Sequence, residues 1–398
     1  MKSAAVIAEY NPFHNGHQWQ LEQIRQKGAT HIVVVMSPEF TQRGTPAIFP
    51  KRVRAKAALE HGADLILELP VCYAAATAQK FAFGAVRTIC AMGCIDQLAF
   101  GAEESRLELL TQTAEALDDK NLSVVLQKEI SKGISFASAR EAAIREIYGE
   151  EISNILQSPN NILGVEYLRE LNRCTEGKIP TPLVISRTGN IHDGKPVGEF
   201  SSASYLRELI AKGKWEKAKQ FLPKDAGEKY QQAQQEGQTA FLNQAERAVL
   251  YSLRRMTKEQ MGSLPDLSEG IENRLWKASR TACSLEELYD QVKTKRYPLS
   301  RVRRLVLAAF LEIPGFMQEE TPPYLRVLGM NQRGKELLSQ MKTKAILPVS
   351  TSLKKLSQLS PKAQSFADLQ SRCSDLYGLL TEKPLPAGED YRQSAIFL

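Results

Sequence analysis

The chain has 398 residues, 43% of them hydrophobic, and a formal net charge of +7, a composition that excludes a disordered polyelectrolyte. No run of about 18 apolar residues occurs, which excludes a helical membrane span. The first apolar run, residues 4–8, is too short for the core of a secretory leader, so a cytoplasmic location is the default expectation. The charge is uneven. Residues 1–210 carry 22 basic and 24 acidic side chains, whereas residues 211–398 carry 30 and 21. The positive excess lies in the second half, where it suits a polyanionic partner or a solvated basic face.

In chain order, residues 4–8, 31–35, 64–69, 97–100 and 183–185 are short runs rich in Val, Ile and Leu, flanked by turn residues. They predict buried strands. Between them, 18–26, 51–61, 80–92 and 106–117 have helical patterning. This alternation predicts an α/β fold with a doubly wound, mainly parallel sheet over residues 1–210. Ligands of such sheets bind outside the carboxyl ends of the strands, so the loop after the first strand belongs to the site. From 211 onward, 211–221, 239–258, 269–278, 284–294, 300–312 and 334–341 predict helices, and strand signals nearly vanish. Residues 211–398 are therefore expected to form a mainly α-helical second domain. The Gln-rich stretch 224–238 reads as a boundary or exposed helix, and the last ten residues or so as an irregular tail.

The most informative segment is Ile7-Ala8-Glu9-Tyr10-Asn11-Pro12-Phe13-His14-Asn15-Gly16-His17-Gln18-Trp19-Gln20. Pro12 stops the strand and restricts Asn11 to extended geometry. Gly16 admits close backbone approach. His14 and His17, three residues apart, flank the start of the following helix. That end carries unpaired N–H groups and a partial positive charge, which suit phosphate. Two imidazoles there would stabilise charge moving onto a leaving pyrophosphate. The competing readings are two polar loop histidines or a metal pair, and no third metal ligand stands nearby. The six cysteines (72, 90, 94, 174, 283 and 373) are scattered and read as reduced thiols, not as a zinc site.

In the second half, Lys293, Lys295, Arg296, Arg301, Arg303 and Arg304 lie within twelve residues that contain no acid, with Tyr297 among them. Arg301 and Arg304 share a helix face. The cluster suits RNA phosphates, with Tyr297 placed to stack on a base; a solvated basic face is the alternative. Lys51, with Arg52 and Arg54, reads as a solvated helix face at least as readily as a site.

The segment from Ala8 to His17 resembles the signature of the bacterial tRNA(Met) cytidine acetate ligases, of the His-x-Gly-His nucleotidyltransferase superfamily. The resemblance continues through Met36-Ser37-Pro38-Glu39-Phe40-Thr41-Gln42-Arg43-Gly44, Asp64-Leu65-Ile66-Leu67-Glu68-Leu69-Pro70 and Phe100-Gly101-Ala102-Glu103. It extends to Pro159-Asn160-Asn161-Ile162-Leu163-Gly164, Arg187, His192-Asp193, Lys293-Thr294-Lys295-Arg296-Tyr297 and Tyr324-Leu325-Arg326-Val327-Leu328-Gly329. Pro38-Glu39 stands where small polar residues are expected, and Gln20 where a histidine is expected.

The resemblance implies a Rossmann-like nucleotidyltransferase domain and a two-step reaction. ATP, with Mg2+ as its counter-ion, activates acetate as acetyl-adenylate. The acetyl group then passes to N4 of the wobble cytidine of elongator tRNA(Met). It further implies that residues 7–20 hold ATP, with contacts from Gly101, Asn161 and Arg187. Ser201-Ser202-Ala203-Ser204-Tyr205-Leu206-Arg207 resembles the phosphate-holding helix start of related adenylyltransferases, which assigns Ser202, Ser204 and Arg207 to phosphate. The same serines also suit a helix cap. Arg43 is expected to face acetate or tRNA.

Overall fold

The apolar runs at residues 4–6, 32–36, 65–67 and 98–100 become strands because helices bury them on both faces. The computed structural model describes residues 1–186, 196, 198–268 and 270–398. Among these, eight strands form one sheet: β1 (Ser3–Ala8), β2 (His31–Met36), β3 (Leu65–Glu68), β4 (Gln97–Ala102), β5 (Thr181–Ser186), β6 (Leu325–Met330), β7 (Val349–Ser350) and β8 (Ile396–Phe397). The order is β5-β4-β1-β2-β3-β6-β7, with β8 paired to β6. β5, β4, β1, β2 and β3 are parallel, and Val6 is flanked by Val34 on β2 and Ala99 on β4.

The two-residue period sorts the strand side chains into two cores. Val33, Val35, Leu65, Leu67 and Leu98 join Phe81, Val86 and Ile89 of the Ala78–Ala91 helix and Val165 and Leu168 of the Pro159–Arg173 helix. Ala4, Val6, Ile32, Val34 and Ile66 join Leu21 and Ile24 of the Asn15–Gln26 helix and Ala55, Ala58 and Leu59 of the Lys51–Glu60 helix. Each large side chain buried in this way contributes about 1.5–3 kcal/mol. The chain runs outward from β1 through β2 to β3, then returns to β1's other side as β4. The strand order reverses between β1 and β4, and the crevice above their carboxyl ends is where such sheets hold ligands.

The second half is mainly helical, but three expectations need correction. Leu325–Met330 is a strand, antiparallel to β3, so the second half supplies part of the first half's sheet. Residues 224–235 do form a helix, but not one exposed on all sides: it buries Ala226, Gly227, Tyr230 and Ala233, and the Tyr230 ring stacks on Phe49 at 4.6 Å. The final residues are not an irregular tail either. β8 pairs with β6, and Asp390 of the short Glu389–Arg392 helix is buried against Lys51. Residues 211–221 and 239–258 are shorter helices broken by turns, Gly213 supplying a positive φ of 66° after the Ala203–Ala211 helix. Among the described residues, no helix is long and apolar enough to cross a membrane.

Candidate functional site

The segment after β1 does what its residue types suggest. Tyr10 takes a positive φ of 47°, the Asn11–Pro12 peptide is cis, and the chain then enters the Asn15–Gln26 helix. His14 is the N-cap. Its Nδ1 accepts from the Gly16 N–H at 3.1 Å, and the His17 Nδ1 accepts from the His14 N–H at 3.3 Å. The two imidazoles therefore form a reciprocal cap that satisfies two of the helix's orphan donors. These bonds leave Nε2 as the protonated nitrogen of each neutral ring. The rings stack at 3.7 Å, and the Tyr10 ring lies edge-on to His17 at 4.8 Å. A Cβ at Gly16 would come within 3.0 Å of the His14 ring, which explains the glycine.

The loop is held from behind. The Phe13 N–H donates to the Tyr230 hydroxyl at 3.1 Å. The Asn11 side chain accepts from the Ile48 N–H at 2.8 Å. Asn15 donates to the carbonyls of Glu199 and Gln220, and Trp19 packs edge-on to Phe200. Arg54 is fully buried and donates to the carbonyls of Glu9, Ser37, Pro38 and Phe49, tying the loops after β1 and β2 together. Tyr230 and Arg54 escape a reading of the sequence because their partners are backbone groups, 217 residues away for Tyr230 and chiefly on the loops after β1 and β2 for Arg54.

Three predicted residues from two segments converge here, Arg43 after β2 and Ser204 and Arg207 on the Ala203–Ala211 helix. The Ser204 hydroxyl receives bonds from Arg43 at 3.3 Å and Arg207 at 3.1 Å, and Arg207 also donates to the Asn11 carbonyl at 2.8 Å. Burial and then the neighbouring Arg43 lower the Arg207 pKa. Two guanidiniums crowded in this way favour an added anion. Ser202 caps its helix by accepting from the Tyr205 N–H at 3.2 Å. Glu9 accepts from the Gln42 N–H at 2.8 Å; burial raises its pKa, opposed by that bond and by Arg207, Arg43 and Arg54. Tyr10 Oη, Ser37 Oγ and Gln42 Nε2 are buried polar atoms without a hydrogen-bond partner among the described residues. Such orphans on the β1 and β2 loops fit a small polar ligand between them.

Gly101 lies in β4, across from Ile185 of β5. Asn161 is buried in the first turn of the Pro159–Arg173 helix, and its side chain accepts from the Glu104 N–H at 2.9 Å, so it braces the loop after β4 and does not cap its own helix. Asn161, Glu103, Glu104 and Arg106 line an open cleft of about 290 Å³. Arg187, His192 and Asp193 lie outside the described residues.

The basic cluster differs from expectation in two respects. Tyr297 is buried and lies under the Arg301 guanidinium at 5.6 Å, so it is not presented for base stacking. Arg301 and Arg304 both pair with Asp266, at 3.5 and 3.0 Å. Lys293 and Lys295 are exposed and Arg296 is partly exposed. Lys51 is not on a solvated face. It is buried beside Glu68 at 2.6 Å, Asp390 at 2.7 Å and Glu39 at 3.3 Å, a cage that Arg326 of β6 completes. Burial alone would lower the Lys51 pKa, but Asp390, Glu39 and Glu68 together raise it. All six cysteines are free thiols, and only Cys283 is exposed.

The model for HIGH Nucleotidyl Transferase matches residues 1–391. A tRNA(Met) cytidine acetate ligase of Caldanaerobacter subterraneus subsp. tengcongensis is 38% identical over 359 residues, covering 88% of each chain. A protein of the same name from Acetivibrio thermocellus is 35% identical over all of both chains. The crystal structure of Thermotoga maritima TmcAL bound with alpha-thio ATP covers both chains fully, with a TM-score of 0.93 at 32% identity. The Rossmann-like order of the sheet, the imidazole pair at its strand reversal and these full-length likenesses agree, and the chain belongs to the tRNA(Met) cytidine acetate ligase family of HIGH nucleotidyl transferases.

Proposed function

We propose that the chain is a tRNA(Met) cytidine acetate ligase that joins acetate to N4 of the wobble cytidine of elongator tRNA(Met) at the expense of ATP. The carrying observation is the stacked His14–His17 pair at a helix N-terminus, above the strand reversal, with Arg43 and Arg207 converging nearby. ATP enters with Mg2+ as its counter-ion, its phosphates over residues 14–17, with Gly101, Asn161 and Arg187 as further contacts. Ser202, Ser204 and Arg207 meet the outer phosphates. An acetate oxygen attacks the α-phosphorus, the bond to the β-phosphate bridging oxygen breaks, and pyrophosphate leaves. The Nε2–H groups of His14 and His17 stabilise the charge that develops on it. The cytidine N4 then attacks the acetyl carbon of the mixed anhydride and AMP departs with the bridging oxygen, N4 losing one proton. The protein forms no covalent bond; it supplies position and electrostatics. Arg43, on the loop after β2, faces acetate or the incoming RNA. Lys293, Lys295 and Arg296 are offered to the RNA backbone, while Arg301 and Arg304, held by Asp266, brace the helix behind them. A cytoplasmic location is part of this proposal.

Incubation with labelled acetate, ATP and tRNA(Met) tests the reading: label in N4-acetylcytidine is the expected result. Acetate-dependent pyrophosphate exchange without labelled RNA would instead indicate an adenylyltransferase for a small metabolite. Absence of both would leave an RNA-binding protein without this chemistry.

A further inference from the structure

The second half carries a different cationic face, built from two helices that cap each other. Arg254, near the end of the Glu246–Arg255 helix, donates to the carbonyls of Ser279 and Ala282 at the end of the Ile271–Thr281 helix. Arg280 returns the arrangement by donating to the carbonyls of Arg254 and Met256. Each guanidinium satisfies the other helix's terminal carbonyls, where positive charge is favoured. This lock fixes a row of side chains. Tyr251 is 61% exposed, with the Arg255 guanidinium 5.5 Å from its ring. Trp276 lies between Lys258 at 4.6 Å and Arg280 at 5.1 Å. Arg255, Lys258, Lys277 and Arg280 are all exposed.

Unlike Arg301 and Arg304, which share Asp266, none of these four cations has a carboxylate within ion-pair distance among the described residues. The face is thus net positive, although Glu259 lies close enough to Lys258 to feel its charge and the Arg280 guanidinium rests on helix-terminal carbonyls, and the exposed Tyr251 ring stands against Arg255. A net-positive face combined with an open aromatic ring recognises a phosphodiester chain with accessible bases. An acidic protein segment would answer the charge but not the solvent-facing ring of Tyr251.

The face is also tied to the site. The Glu246–Arg255 helix packs on the Leu299–Leu311 helix, whose backbone at Arg303 and Arg304 abuts Gly44 of the loop bearing Arg43. Two helix layers at about 8–10 Å each put the face on the order of 20 Å from that loop. A folded RNA with one base in the site would span this distance. We infer that Tyr251, Arg255, Lys258, Trp276, Lys277 and Arg280 form a second docking surface for the RNA substrate, remote from the reacting base. The inference rests on the acetate-ligase reading above.

Arg254 and Arg280 hold the helices, so the test uses Arg255→Glu with Lys258→Glu, and separately Tyr251→Ala and Tyr251→Phe. For each, tRNA(Met) binding is measured across salt concentrations, alongside acetate-dependent ATP–pyrophosphate exchange without RNA. Exchange at the wild-type rate shows that the fold and the first step are intact. The charge reversal should weaken tRNA binding at least tenfold and flatten the slope of log affinity against log salt by about 1.4 or more. Tyr251→Ala should weaken binding about fivefold or more, and Tyr251→Phe should restore it. Wild-type affinity and slope in the charge-reversed protein would overturn the inference while leaving the ligase reading standing. A wild-type protein that exchanges pyrophosphate yet neither binds nor labels tRNA(Met) would overturn the reading itself, and this inference with it.

Discussion

Gly44 lies against the backbone of Arg304 so closely that a Cβ would sit 2.5 Å from the Arg304 nitrogen, at a φ of +71°. The loop that delivers Arg43 to Ser204 is thus seated on the helix that carries the basic cluster. Glycine is required twice over, by the left-handed backbone and by the contact.

Gly44→Ala is expected to lower stability by about 1–3 kcal/mol and to displace Arg43. Thermal unfolding should show a fall of several degrees. Acetylation of tRNA should fall in kcat/KM even at temperatures where the variant remains folded. An unshifted melting midpoint with full activity would show that the loop yields without consequence.

The His14 side chain has two tasks that one substitution can separate. Asparagine is a good N-cap residue and can accept from Gly16, but it has no Nε2–H. His14→Asn should therefore melt within about 1 kcal/mol of the parent while acetate-dependent pyrophosphate exchange drops about 10²–10³-fold. His14→Ala should lose both. Exchange that survives in the asparagine variant would assign His14 to the helix start alone.

Asp390 shows how the buried cage responds to pH. Burial would raise its pKa, but Lys51 and Arg326 hold it well below the usual carboxylate range. A depressed folded-state pKa stabilises the fold above the unfolded value of about 3.9, and that contribution drains away as pH falls towards the folded value. Asp390→Asn should cost about 3–5 kcal/mol at pH 7 because it leaves buried cations undercompensated. In urea unfolding, the gap between parent and variant should be constant from pH 7 to about 5 and shrink below pH 4. Glu39 works in the opposite sense. Burial raises its pKa despite Lys51, so lowering pH relieves its desolvation. A gap that widened in acid would contradict this assignment.

Lys293 and Lys295 should behave differently from Arg301. Removing both lysines should flatten the salt dependence of tRNA binding by about 1.4 and leave thermal stability within about 0.5 kcal/mol. Arg301→Ala should destabilise the fold instead, because it strips Asp266 of one partner and Tyr297 of its overlying guanidinium. Equal effects on binding slope from Lys293→Ala and Arg301→Ala would mean that Arg301 leaves Asp266 when RNA arrives.

What the sequence made legible was local. The β1 strand, the Pro12 turn and the helix start at His14 are specified within about twenty residues, and the parallel strand alternation follows from the spacing of apolar runs. The losses are non-local. Lys51 and Arg54 resemble a solvated face because their neutralisers, Glu39, Glu68 and Asp390 and the carbonyls of the β1 and β2 loops, lie on other segments. Leu325–Met330 is one short run among helices, and only its pairing with β3 makes it a strand. The buried edge of residues 224–235 is alanine, glycine and one tyrosine amid glutamines, too small an apolar stripe to stand out.

The Lys51 cage also sets an order of events during synthesis. Asp390 follows Lys51 by 339 residues. At about 5–20 residues per second, the ribosome exposes the lysine roughly 20–70 s before Asp390, the last of its three carboxylate partners. Until then the early half of the sheet lacks β8, and the Lys51 cage holds Glu39 and Glu68 without the Asp390 carboxylate that also pairs with Arg326. The first half of the sheet should therefore reach its final packing only once residues 325–397 have joined it, and ribosome-bound intermediates should remain open to chaperones and proteases throughout that interval.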